Sequence, residues 1–167
     1  VVPVYVGKDG NFYSNHKFLD LKNYRNLESL LFSSQKITLG RKDSGRARMT
    51  ETGFFVQGLW QKFIPFDVAF PLFHGAFGED GCIQGLFEIY QIPYVGFNVF
   101  GSAVAMDKVL SKAYFKELGL NVADYIFILR NEWIADPKNC LKKIQNALKF
   151  PMVIKPATLG STIGISK

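Results

Sequence analysis

Cysteine is scarce in this chain. Only Cys82 and Cys140 occur in 167 residues, and neither has metal-ligand spacing around it. That excludes a disulfide framework and a cysteine metal site, so a reduced, cytoplasmic setting is expected. No apolar run approaches the roughly 18 residues of a membrane span, and no basic-then-apolar leader opens the chain, so no membrane partner is expected. The nucleotide loop Gly-x-x-x-x-Gly-Lys-Ser/Thr occurs nowhere, and there is neither an internal repeat nor a low-complexity tract. Charged residues are only 20%, against 48% hydrophobic and 15% aromatic, with a mean hydropathy of +0.07. Such a composition folds rather than staying disordered. The length suits one domain, or one domain with part of a second.

The net charge of +6 is unevenly placed. Residues 1–103 carry 10 Lys and Arg against 9 Asp and Glu, whereas residues 104–167 carry 10 against 5. A basic second half suits an anionic ligand or an acidic partner, and equally suits solvated helix faces. Residues 33–53 are polar, with Arg41, Lys42, Arg46 and Arg48 punctuated by Gly40, Gly45 and Gly53, and are expected to form a mobile loop. A nucleic-acid surface would interleave its basic residues with aromatics. None occurs there before Phe54, so no nucleic-acid partner is expected.

Val1 to Val6 read as a strand, with a turn at Lys8-Asp9-Gly10 and a return through Asn11-Phe12-Tyr13. A chain that begins inside a strand is expected to have a segment upstream. Val68-Ala69-Phe70-Pro71-Leu72-Phe73 reads as a strand buried on both faces. A glycine-rich turn, a helix carrying Ile83, Leu86, Phe87 and Tyr90, and a short strand at Ile92-Pro93-Tyr94-Val95-Gly96 follow. Together they predict an α/β unit with a parallel sheet. Ser102 is the expected N-cap of one helix bearing Met106, Val109, Leu110, Ala113, Tyr114 and Leu118, ended by Gly119. A strand over 124–129, a helix started by Asp136-Pro137 with a Leu141, Ile144 and Leu148 stripe, and a strand over 151–156 complete the pattern.

Three features could carry chemistry. His74-Gly75-Ala76-Phe77-Gly78-Glu79-Asp80-Gly81 follows a strand and opens a helix, where α/β proteins place ligands. Its acids would repel a phosphate and suit an amine or a basic side chain, although Glu79 and Asp80 also favour the helix dipole without any ligand. His74 is either a ligand-facing group or a satisfied buried imidazole. Lys155, inside an apolar strand, must meet an anion or a cavity, or else lie in water on an edge. Beyond it, Gly160-Ser161-Thr162-Ile163-Gly164 offers N–H groups and hydroxyls that can close over phosphate oxygens. Lys108 and Lys112 share a helix face; Lys108 lies near a helix start that favours an anion, and Lys112 is expected in solvent. These groups point to a nucleotide or phosphate ligand.

Four segments, in order, resemble the D-alanine–D-alanine ligase family: His74 to Gly81, Ile92 to Gly96, Ala105-Met106-Asp107-Lys108, and Val153-Ile154-Lys155-Pro156 with Gly160 to Gly164. The opening Pro3 to Val6 and Lys8-Asp9-Gly10 also fit, and the resemblance is weakest across 14–66. It implies a mixed α/β fold: an N-terminal parallel-sheet, Rossmann-like domain over 1–104 lacking its first strand, then the start of an ATP-grasp α+β domain over 105–167. It implies ATP-dependent joining of two D-alanines for bacterial peptidoglycan through a D-alanyl phosphate. Lys108, Lys155, Gly160 and Ser161 would bind nucleotide, with Ser161 also orienting substrate as a catalytic residue, and His74 and Glu79 would bind D-alanine. Thr162 stands where the family usually has a second serine. The family's magnesium ligands, substrate-orienting tyrosine and phosphate-binding arginine match nothing in the chain. The resemblance therefore implies ATP and magnesium as cofactors, a homodimer for the full-length form, and no turnover by this chain alone. A D-alanine–D-lactate ligase and a non-catalytic nucleotide-binding or partner module are the alternatives.

Overall fold

The computed structural model describes residues 1–43, 50–58 and 62–166. They form two compact units, residues 1–70 with 87–95, and residues 71–86 with 96–167.

The first unit is built on a five-stranded antiparallel meander: β1 (Val4–Val6), β2 (Phe12–Ser14), β3 (Gln35–Asp43), β4 (Thr50–Val56) and β5 (Phe63–Pro65), in that spatial order. The predicted turn between β1 and β2 is present. The Asp9 carboxylate accepts from the Asn11 N–H at 3.1 Å, the Asn11 amide at 2.7 Å and the Tyr13 hydroxyl at 2.7 Å. These donors, the Asn11 side chain first, hold the Asp9 carboxyl down at about 2. Helix α1 (Leu27–Phe32) then packs Leu30 with Tyr13 and Phe18 in an aromatic core ringed by Tyr5, Tyr24 and Leu31.

Where a loop is expected over 33–53, the described residues are instead mostly strand, 35–43 in β3 and 50–53 in β4. β3 pairs with β4 from Ile37↔Val56 to Asp43↔Thr50, and Arg41 and Lys42 lie on β3. Gly45, Arg46 and Arg48 lie outside the described residues. Ile37 and Leu39 are buried two residues apart, the period of a strand with one covered face. The glycines read as loop punctuation serve close packing. Gly40 sits opposite Gly53, and a Cβ on Gly40 would come 2.7 Å from the Phe55 ring. One on Gly53 would lie 2.6 Å from the Phe63 ring.

The mixed α/β content is as expected, but the sheet differs in sense. Parallel pairing between 68–73 and 92–96 is one bridge, Ala69↔Tyr94, closed by Ala69 N–H to the Pro93 carbonyl and Val95 N–H to the Ala69 carbonyl. Phe70 and Leu72 are exposed rather than buried on both faces. Pro71 has no N–H to extend the ladder, and among the described residues no strand pairs with this run.

The second unit is helical. The single helix expected from Ser102 is two: α3 (Val99–Met106), capped by Asn98, and α4 (Lys108–Glu117), capped by Asp107. Asp107 breaks the run because its carboxylate accepts from the Val109 and Leu110 N–H groups at 2.8 and 3.1 Å. Ser102 lies buried inside α3, its hydroxyl on the Phe97 carbonyl. Gly119, at φ +75, ends α4 as predicted. Residues 124–129 form no strand, because no described segment supplies a ladder partner. Short α5 (Arg130–Ala135) precedes α6 (Pro137–Ala147), which starts as predicted with Asp136 accepting from the Asn139 N–H. The buried member of the α6 stripe is Cys140, and Leu141 is half exposed. At the end, the expected strand 151–156 is reduced to the antiparallel bridge Ile154↔Ser166.

Candidate functional site in the second unit

The glycine-rich turn leads into α2 (Cys82–Ile89) and is shaped by its own acids. Asp80 accepts from the Phe77 N–H at 2.8 Å and the Cys82 N–H at 3.1 Å. Burial pushes the Asp80 carboxyl up, but these donors outweigh it and hold the group below its ordinary value. The Asp80 carboxylate, with some burial, pushes the Cys82 thiol up. Glu79 folds back to accept the Gly75 N–H. Gly81 has φ +97, and a Cβ there would come 2.8 Å from the Val99 carbonyl, so only glycine fits. Asp80 and Glu79 therefore have structural tasks that do not require a ligand.

Gln84 supports this turn. It is buried in α2 and its amide donates to the Gly78 carbonyl at 3.2 Å, while its own oxygen is buried with no partner among the described residues. Sequence reasoning missed it; the available signal was a polar side chain directly after Ile83, next to the apolar face of the helix.

The second segment is the 155–165 loop, closed at its base by paired hydrogen bonds between Ile154 and Ser166 at 2.8 and 3.0 Å. Ser161 takes a left-handed conformation, φ +53, and its side chain is exposed. Gly164 has φ +70, and a Cβ there would strike Pro156 at 2.7 Å. Lys155 is exposed, the edge-in-water alternative rather than a buried ammonium.

Lys108 joins the two features. It is the first residue of α4; its N–H donates to the Ala157 carbonyl at 2.9 Å, and its ammonium to the Leu159 carbonyl at 2.6 Å. The neighbouring Gly160 lies near Glu79: a Cβ there would stand 3.7 Å from Oε2, in ordinary van der Waals contact. Lys108, Gly160, Ser161 and Glu79 are thus brought to one locality. His74, next to Gly75, is exposed rather than a buried imidazole. Lys112 is not in free solvent: its ammonium donates to the Ala123 carbonyl at 3.2 Å and lies 4.7 Å from the Tyr125 ring centre. Asp107 was also missed as a cap, although an aspartate directly before a helical run is the usual signal.

Residues 1–97 match the family described as D-ala D-ala ligase N-terminus, and residues 114–167 match D-ala D-ala ligase C-terminus. The chain belongs to the D-ala D-ala ligase family. A D-alanine–D-alanine ligase of Bacillus velezensis is 48% identical over 103 residues, which are 62% of this chain and 29% of that protein. One from Natranaerobius thermophilus is 36% identical across 100% of this chain and 43% of its own length. Among solved structures, the VanG D-Ala:D-Ser ligase of Enterococcus faecalis matches with a TM-score of 0.73 and 27% identity, over 99% of this chain and 44% of that one. The chain thus spans under half the length of these ligases. No helix among the described residues is long and apolar enough to cross a membrane.

Proposed function

We propose that this chain is part of an ATP-dependent ligase that joins two D-alanines into D-alanyl-D-alanine for peptidoglycan, in the cytoplasm, through an acyl phosphate. Residues 1–104 would form the N-terminal domain and 105–167 the start of the ATP-grasp domain, with a homodimer as the complete form. The observation that carries the reading is that, in one unit, Lys108 holds the Leu159 carbonyl while the adjoining Gly160 lies beside Glu79. Cationic and N–H-rich groups there face a carboxylate, the polarity needed to bring a phosphoryl donor to an amino acid.

In this reading Lys108, Lys155, Gly160 and Ser161 hold the nucleotide phosphates, and ATP supplies the phosphoryl group that activates a carboxylate. Ser161 orients the substrate, and His74 and Glu79 line the first D-alanine site. The exposed loop N–H groups and lysines fit a phosphate. The described residues do not fit magnesium: no group of three His, Cys, Asp or Glu is close enough to hold a metal ion. No step is therefore assigned to a metal on this chain.

The likeness to a D-Ala:D-Ser ligase supports a second reading, in which the second substrate is not D-alanine. Calorimetry of the chain with ATP tests the nucleotide site: measurable binding that falls at least about tenfold in Lys155→Ala is expected, and no binding by the parent chain refutes it. Phosphate release by the complete reading frame, with D-alanine alone and with D-serine or D-lactate added, separates the second substrates and tests the ligase assignment itself.

A further inference from the structure

Lys108 has a task that a phosphate contact alone does not require. Asp107, capping α4, fixes the root of its side chain. From there the ammonium donates to the Leu159 carbonyl at 2.6 Å and, at a long 3.5 Å, to the Ala157 carbonyl. The Lys108 backbone N–H holds Ala157 as well, at 2.9 Å. Within the loop it grips, the Ile163 N–H reaches the Gly160 carbonyl at 3.4 Å and the Ile165 N–H the Thr162 carbonyl at 3.2 Å, and Ser161 stands at φ +53. An ammonium-to-carbonyl bond is charge-assisted, so it is the strongest of these ties.

The gripped residue adjoins Gly160, where a Cβ would stand 3.7 Å from the Glu79 Oε2, and Glu79 in turn holds the Gly75 N–H. The segment held from α4 through Leu159 therefore ends at Gly160, which lies beside the turn at 75–79. We infer that Lys108 is a positioning residue, whose ammonium on the Leu159 carbonyl sets the separation between the 158–164 loop and the Glu79 turn. An ammonium has three donors, so one remains for an incoming anion while the loop stays held. Lys108 thereby links an anion at the loop to the geometry around Glu79.

The inference goes beyond the proposed function and its test uses no nucleotide, so either can fail without the other. Amide hydrogen exchange is followed by NMR in the full chain, in Lys108→Met and in Lys108→Arg. Lys108→Met is expected to accelerate exchange at Ile163 and Gly75 by about tenfold or more, with β4 amides unchanged. Lys108→Arg, which keeps charge and donors, is expected to restore both rates to within about twofold of the parent. Unchanged rates, acceleration at Ile163 alone, equal acceleration in β4, or no rescue by arginine would each overturn the inference. Should Lys108→Met not fold, the parent chain decides. Its Lys108 ammonium protons must exchange with water at least about tenfold more slowly than those of exposed Lys155, and equal rates overturn the inference.

Discussion

The two units are held together in different ways. Of the buried apolar side chains among the described residues, only Cys140 belongs to the second unit; Tyr13, Phe18, Leu30, Ile37, Leu39, Val56, Phe87 and Ile92 belong to the first. The first unit rests on ladders and apolar packing, where each bond is one of many. The second fixes its turns with single polar groups, such as Glu79 on Gly75, Asp80 on Phe77 and Cys82, Asp107 on α4 and Lys108 on Leu159. A sheet can lose a surface residue with little consequence, whereas the 75–81 turn draws on Glu79, Asp80 and Gly81 together. The candidate site lies in the unit of the second kind, where side chains must reach a defined place rather than fill a volume.

Three experiments press on that contrast. The largest effect is expected from Leu30→Ala, which empties the core shared with Tyr13 and Phe18. Urea unfolding should report a loss of about 2–5 kcal/mol, and a loss well below about 1 kcal/mol would break the claim that packing carries the first unit. Next is the pair Gly81→Ala and Gly85→Ala. The former meets the Val99 carbonyl at a positive φ and should cost about 1–3 kcal/mol. The latter, within α2, meets only a Val99 methyl at 3.9 Å and should gain about 0.5–1 kcal/mol. Similar thermal shifts for the two would show that the turn does not depend on single positions.

The smallest effect concerns Asp9, whose carboxyl is lowered to about 2 from an ordinary 3.8. A depressed carboxyl contributes stability above its unfolded value and loses it as pH falls through the folded one. Its contribution is therefore complete above pH 3.8 and fades towards pH 2. Acid unfolding followed by circular dichroism should lose this component in Asp9→Asn; an unchanged profile would mean that the β1–β2 turn gains nothing from its carboxylate. Asp80 carries the same sign in the second unit, its stabilisation present above the ordinary carboxyl value and lost below it.

Local signals were legible where they act over a few residues. The Lys8-Asp9-Gly10 turn, α2, the Gly119 stop and the Asp136-Pro137 start follow from short-range hydrogen bonding and backbone preference, and each is present. The break at Asp107 was equally local, but Ser102 offered a competing cap and the longer apolar stripe masked it. Strand pairing was less legible. The 33–53 stretch looked like a loop because its charges and glycines dominate, whereas its register depends on Ile37 facing Val56 and on aromatic rings lying over Gly40 and Gly53. The apolar run 68–73 looked like a buried strand because composition records hydrophobicity, not the presence of a neighbour.

Composition and spacing alone set the inventory: two cysteines without metal-ligand spacing, a basic second half, glycines at the turns, and the lysines and acids beside them. Spacing also placed those residues at helix starts and loops, because capping and φ preferences are settled within a turn or two. Only the tertiary structure decided that Lys108 grips Leu159, that Gly160 lies against Glu79, and that Lys112 goes to Ala123 and Tyr125 instead. Two of these contacts end on backbone carbonyls, which every residue carries. Side-chain identity therefore cannot announce them, and they exist only once the chain has folded back on itself.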